Sequence, residues 1–245
     1  MVSHRSKDMN NSRLVSGLML GLSTFLLAAQ PQPPAETGPT PEEKPDINEI
    51  IKTSTVFTNS VGTVMKKTGS GLWVSVYETT QKEYQEVTDS NPSAFSGPKR
   101  PVDSVSWLDA SGYCKRLTQH EKAEEMLPEG YIYTLPTQAQ WESLAKGIPL
   151  SHAVTGSGSR RSATANVGSL SASSAGLYDL RGNVAEWCDD SAGGLFPSAN
   201  SFRVLRGGSW ADWIEVNLRI DFRVMVAPDD AKNTYGFRCV LIKGS

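Results

Sequence analysis

Few side chains in this sequence could do covalent or metal chemistry. There are three histidines, His4, His120 and His152, and three cysteines, Cys114, Cys188 and Cys239. His4 lies in a basic N-terminal stretch, which leaves two imidazoles, one short of a three-histidine iron site. No Cys-x-x-Cys pair offers zinc binding or thiol exchange. Gly207-Gly208-Ser209 reads as a tight turn, because a nucleophile elbow needs Gly-x-Ser-x-Gly. No glycine-rich phosphate loop is present. From Trp210 to Tyr235 aromatic and polar side chains are mixed. That stretch holds Trp210, Asp212, Trp213, Glu215, Asn217, Arg219, Asp221, Arg223, Asp229 and Asp230. Rigid rings among adaptable hydrogen-bonding groups suit recognition. The competing reading makes Trp210, Leu218 and Phe222 ordinary core residues.

The elements that would position these groups are short. Thr80 with Glu83, Ser106 with Asp109 and Thr137 with Gln140 each form a capping box that opens a helix. Asn91-Pro92 stops the first helix, and Gly147 ends the third. In the second, Ala110, Tyr113, Cys114 and Leu117 recur at helical spacing, so Cys114 is expected to face the core. Pro136 and Trp141 can staple the third across its first turn, with Leu144 and Ala145 on the same face. Strands are expected at 72–77, 131–135, 203–206 and 235–242. In the last, Tyr235, Phe237, Cys239 and Leu241 alternate onto one face. From Gly147 to Gly176 the chain is rich in Ser, Gly and Ala without periodicity, which predicts long loops. Few helices, short strands and much coil predict an α+β domain.

The 245 residues, 38% of them hydrophobic, can bury one sizeable core, so one domain with tails is expected. A formal charge of −2, without a basic stripe, argues against a nucleic-acid partner. Residues 1–30 read as a signal peptide. His4, Arg5, Lys7 and Arg13 precede an uncharged apolar run from Leu14 to Ala29, with Ala28 and Ala29 at the cleavage point. That run is shorter than the roughly 20 residues a bilayer span needs, so no membrane span is expected after cleavage. An uncleaved anchor is the alternative. No cysteine follows the run before Cys114, which argues against a lipoprotein anchor. The protein is therefore expected to be exported, to a periplasm, a cell surface or the medium. Residues 31–52, with prolines at 31, 33, 34, 39, 41 and 45, read as an extended linker, and 53–245 as the folded domain.

A series of motifs in order resembles one family. Tyr77-Glu78-Thr79 with Glu83-Tyr84 comes first, then Asn91-Pro92-Ser93, and then Pro101-Val102 with Val105-Ser106-Trp107. Leu135-Pro136-Thr137 with Trp141-Glu142 follows, and then Gly176-Leu177-Tyr178-Asp179 to Gly182-Asn183-Val184-Ala185-Glu186-Trp187. Arg206-Gly207-Gly208-Ser209-Trp210 and Gly236-Phe237-Arg238-Cys239 close the set. This pattern is similar to the formylglycine-generating, or sulfatase-modifying factor, family and spans about Val56 to Ile242. The resemblance implies a variant C-type-lectin-like fold. It implies a Cys114–Cys239 disulfide, with Cys188 left as a buried thiol. It also implies calcium held by the side chains of Asp179 and Glu186 and the carbonyls of Gly182 and Val184, oxygen donors that suit calcium. A second family calcium position would begin at Asn166, but the loop that follows is too short for its later acidic partner.

The same resemblance exposes a departure. The family's oxidase binds copper(I) through two cysteines that follow the Gly-Gly-Ser turn. Here those positions carry Asp212 and Asn217, and no cysteine lies between Cys188 and Cys239. Soft thiolates are what select copper(I), so no copper is expected and no catalytic residue is assigned. The expected function is a non-oxidising binding module for a protein or glycan ligand. Its surface would be built from Ser209, Trp213, Glu215, Arg219 and Asp221. The alternative is a formylglycine-generating oxidase acting on sulfatase cysteines, or another enzyme of the family.

Overall fold

Each of three helices begins with a side chain that satisfies the first free backbone N–H groups. In the computed structural model, which describes residues 46–156, 162–191 and 201–244, all three capping boxes form. The expected signal peptide and most of the linker lie outside the described residues.

A first helix, α1 (Ile47–Thr53), starts upstream of Thr53. Asp46 caps it by accepting from the Asn48 N–H at 2.9 Å. Ile47 and Ile51, one turn apart, are buried in the main core. That spacing is the physical reason the folded chain takes in part of the segment read as linker. α2 (Gln81–Thr88) ends at Asp89 in the left-handed region, before Asn91-Pro92. α3 (Trp107–Ala123) buries Ala110, Tyr113, Cys114 and Leu117, as its spacing predicts. α4 (Gln138–Ala145) buries Trp141, Leu144 and Ala145. No described helix is long and apolar enough to cross a membrane.

The strands are β1 (Val56–Thr58), β2 (Val64–Lys67), β3 (Trp73–Ser75), β4 (Tyr131–Thr134), β5 (Ala185–Ser191), β6 (Arg203–Arg206), β7 (Val224–Val226), β8 (Tyr235–Gly236) and β9 (Val240–Lys243). They make an antiparallel sheet in the order β1-β2-β3-β9-β4 and a mixed sheet in the order β7-β6-β5-β8. The single strand expected over 235–242 is therefore two strands in different sheets. Its middle, Phe237 to Cys239, is buried and crosses between them. There the Phe237 carbonyl accepts from Thr79 N–H, and the Cys239 carbonyl from Ser75 N–H.

Two apolar clusters flank these sheets. One gathers Met65, Trp73, Tyr113, Leu117, Trp187 and Phe237, and the other Val74, Trp141, Leu177, Leu180, Cys188 and Val204. Trp73 and Val74 enter opposite clusters, as do Trp187 and Cys188. Strands covered on both faces show no polar alternation, which is why β5 carried no strand signal. Among the described residues from 147 to 176 the only regular element is a 3-10 turn at Leu150–His152, in keeping with the expected loops.

Candidate functional site

The turn from Gly176 to Trp187 is built around left-handed residues. Asp179, Gly182 and Asn183 have φ of 57°, 82° and 60°. A β-carbon at Gly182 would collide with the Val154 backbone, so only glycine fits there. This curl aims its polar groups inward at Arg238, which is fully buried. Arg238 donates through Nε and Nη2 to Glu186, the latter at 2.7 Å, and through Nη1 and Nη2 to the carbonyls of Ser75 and Tyr178. Trp141 Nε1 also donates to Glu186, at 2.9 Å. Glu78 accepts from Asn183 Nδ2 at 2.6 Å and from Val184 N–H at 3.0 Å. Asp179 accepts from Gly168 N–H at 2.6 Å.

Burial pushes Glu78 well above the usual carboxylate range, and the nearby Asp179 and Glu186 push the same way. Burial also raises Asp179. If all three carboxylates were ionised, they would outnumber the one guanidinium by two charges. Glu78, Asn183 and Arg238 were not among the expected site residues. Their signals were in plain sight, in the Tyr77-Glu78, Gly182-Asn183 and Phe237-Arg238 pairs, but sequence does not reveal that these pairs meet.

The second arrangement follows β6. Gly207 and Gly208 both have positive φ, at 92° and 68°. A β-carbon on Gly208 would press on Leu218 Cδ2 at 2.7 Å and the Asn217 carbonyl at 3.0 Å. The tight turn brings Ser209, Asp212 and Asn217 together. Asp212 Oδ2 accepts from the N–H and hydroxyl of Ser209 at 2.7 and 2.9 Å, and its Oδ1 accepts from Asn217 Nδ2 at 2.7 Å. The two residues expected at the copper positions thus hold each other. Both are hard donors, and Asp212 has both oxygens engaged. They do not fit copper(I).

A cavity of about 330 Å3 opens beside this turn, lined by Phe222, Val224 and Tyr235 together with Lys232, Thr234 and Asp212. No cysteine lines it. Beyond it Trp213 is 78% exposed and Ile214 62%. Glu215 begins an exposed 3-10 turn, and Arg219 pairs with Asp221 at 2.7 Å on the surface. Ser209 is buried, so it supports the expected surface from beneath. Trp210 is half-buried, meets Phe95 edge-on and donates to the Asn233 carbonyl. Leu218 is core, and Phe222 lines the cavity.

The cysteines lie elsewhere. Cys114 and Cys239 are buried with their sulfurs 3.6 Å apart, as thiols in this structure. Burial pushes the Cys114 thiol well up. Cys188 is fully buried in the second cluster.

Residues 36–243 match the family described as sulfatase-modifying factor enzyme 1-like domain. Over 195 residues the chain is 30% identical to the chaperone protein LppX of Paenibacillus barcinonensis, covering 58% of this chain and 70% of that protein. Over 171 residues it is 32% identical to the mouse inactive C-alpha-formylglycine-generating enzyme 2, covering 59% of this chain and 50% of that one. The chain thus spans only half the mouse relative. Among solved structures it is similar to Treponema denticola variable protein 1, with TM-score 0.59 and 26% identity over 76% of this chain and 91% of that one. The fold is the α+β, C-type-lectin-like variant that the motifs implied. With the family match running over most of its length, this chain belongs to the sulfatase-modifying factor, formylglycine-generating enzyme-like family.

Proposed function

We propose that this chain is an exported, non-oxidising member of its family. It binds a protein or glycan ligand through the surface around the Ser209–Asn217 turn. The observation that carries this reading is the hydrogen bond between Asp212 and Asn217 at the positions where the oxidase needs two thiolates. A carboxylate saturated by Ser209 and Asn217 is a structural strut, and it leaves no soft ligand for copper. Trp213 and Ile214 stand out from this turn into solvent, beside the Arg219–Asp221 pair. An exposed tryptophan among polar groups is the composition of a binding hot spot. The mouse relative is known as inactive and the Paenibacillus relative as a chaperone. Those descriptions belong to those proteins, and both fit a role outside oxidation.

Export agrees with the basic and apolar N-terminus. In an oxidising compartment Cys114 and Cys239, already facing each other, would pass two electrons and two protons to the compartment's oxidant and form a disulfide. Calcium would be held by Asp179, Glu186 and the carbonyls of Gly182 and Val184. Among the described residues no three His, Cys, Asp or Glu side chains are placed to hold a metal ion together, so the backbone carbonyls are essential to this set. Asp179 and Glu186 lie buried on one turn, and hard oxygen donors of this kind suit calcium. The cation would shield the carboxylates and brace the turn.

The deciding experiment incubates the purified protein with a sulfatase-motif peptide, copper and oxygen, and follows the peptide by mass spectrometry. The expected result is unchanged peptide. The mass loss that marks conversion of cysteine to formylglycine would overturn the proposal.

A further inference from the structure

A second cavity lies apart from the surface just discussed and shares no lining residue with the cavity beside the double-glycine turn. It is an open groove of about 840 Å3. Its walls are the β2–β3 turn, the outer side of α4, the loop at 173–175 and the end of β9. The β2–β3 wall is braced: Thr68 N–H donates to the Leu72 carbonyl at 2.8 Å, and Gly71 N–H to the Thr68 carbonyl at 2.9 Å.

Three properties of the lining define what fits. The floor is aliphatic, from Leu72, Leu144 and Leu241. The rim carries small hydroxyls, at Ser70, Ser143 and Ser174. The charge is of one sign only: Lys146 and Lys243 line the groove, and no aspartate or glutamate does. Both lysines are exposed, and neither has an ion-pair partner among the described residues. This contrasts with the chain as a whole, which is slightly acidic.

We propose that this groove binds an extended, acidic peptide segment of a partner protein, with apolar side chains on the leucine floor and carboxylates at Lys146 and Lys243. A glycan fits less well. The lining has no carboxylate to fork sugar hydroxyls, and its one aromatic ring, Tyr131, is half-buried. Two unpaired ammoniums in a concave, partly apolar setting attract anions more strongly than the same groups on a flat surface. Apolar floor with a polar rim is the usual anatomy of a peptide groove.

The test is fluorescence anisotropy of the full chain with a labelled peptide of alternating glutamate and leucine. The expected result is saturable binding that weakens as salt rises. Binding should also weaken about tenfold in the Lys146→Gln/Lys243→Gln variant, a loss of about 1.4 kcal/mol. Ser143→Trp, which fills the groove from an exposed position, should abolish it. Unchanged melting of each variant shows that the fold is intact. The proposal is overturned if the peptide does not bind, if a glutamine-for-glutamate peptide binds equally well, or if both variants bind like the parent. It is also overturned if an acidic oligosaccharide binds in a lysine-dependent way while the peptide does not.

Discussion

Replacing Arg238 by alanine would strand Glu186 in the interior. The two side chains are 0% and 1% exposed, and the guanidinium donates to Glu186 through both Nε and Nη2. It also satisfies the carbonyls of Ser75 and Tyr178. Those contacts tie β3 of one sheet to β5 of the other and to the turn at Asp179. Breaking a buried ion pair from one side costs about 3–5 kcal/mol, because the remaining charge stays buried without a partner. The freed carbonyls add to that loss. For a domain of this size the melting temperature should fall by roughly 6–20 °C. Urea denaturation followed by tryptophan fluorescence and by circular dichroism measures the change, and coincident transitions justify the two-state treatment. Glu186→Gln/Arg238→Met, which removes both charges, should recover part of the loss. A loss below about 1 kcal/mol for Arg238→Ala would refute the reasoning, since it would mean that Glu186 finds water or another partner at no cost.

Calcium should raise the melting temperature relative to chelator, and Asp179→Asn should remove that difference; identical melting in both conditions rules the site out. Intact mass before and after reduction should differ by two hydrogens if Cys114 and Cys239 are bonded. The link closes a loop of 125 residues, worth about 4–5 kcal/mol by chain entropy. Tyr84 gives a pH prediction. Burial, with Asp109 adding to it, pushes the Tyr84 hydroxyl up to about 12 from its ordinary 10. The fold therefore favours the neutral ring, so stability is full below pH 10 and falls as pH climbs toward 12, while the unfolded chain loses its proton. The share from Tyr84 is roughly 2–3 kcal/mol. Tyr113 and Tyr133 shift in the same direction, so Tyr84→Phe should flatten the alkaline fall without abolishing it.

Local features of this protein were legible in its sequence because their physics is local. A capping box needs two side chains three residues apart, and all three form where Thr80, Ser106 and Thr137 stand. The inward face of α3 followed from a 3.6-residue period. That no thiol stands between Ser209 and Cys239 is read directly from the chain, because no cysteine lies between Cys188 and Cys239. Other features depend on partners far along the chain. Nothing in the alternation from Tyr235 to Leu241 tells that Gly236 pairs with β5 while Val240 pairs with β3 and β4. Strand β5 is covered on both faces and so shows no period of two. The meeting of Glu78, Asn183, Glu186 and Arg238 joins residues up to 160 positions apart, and only the packing of two sheets brings them into hydrogen-bond range. The same holds for Asp212. Its identity as a hard donor was legible on sequence alone, but that its carboxylate is tied to Ser209 and Asn217 was decided by the double-glycine turn that folds the three together.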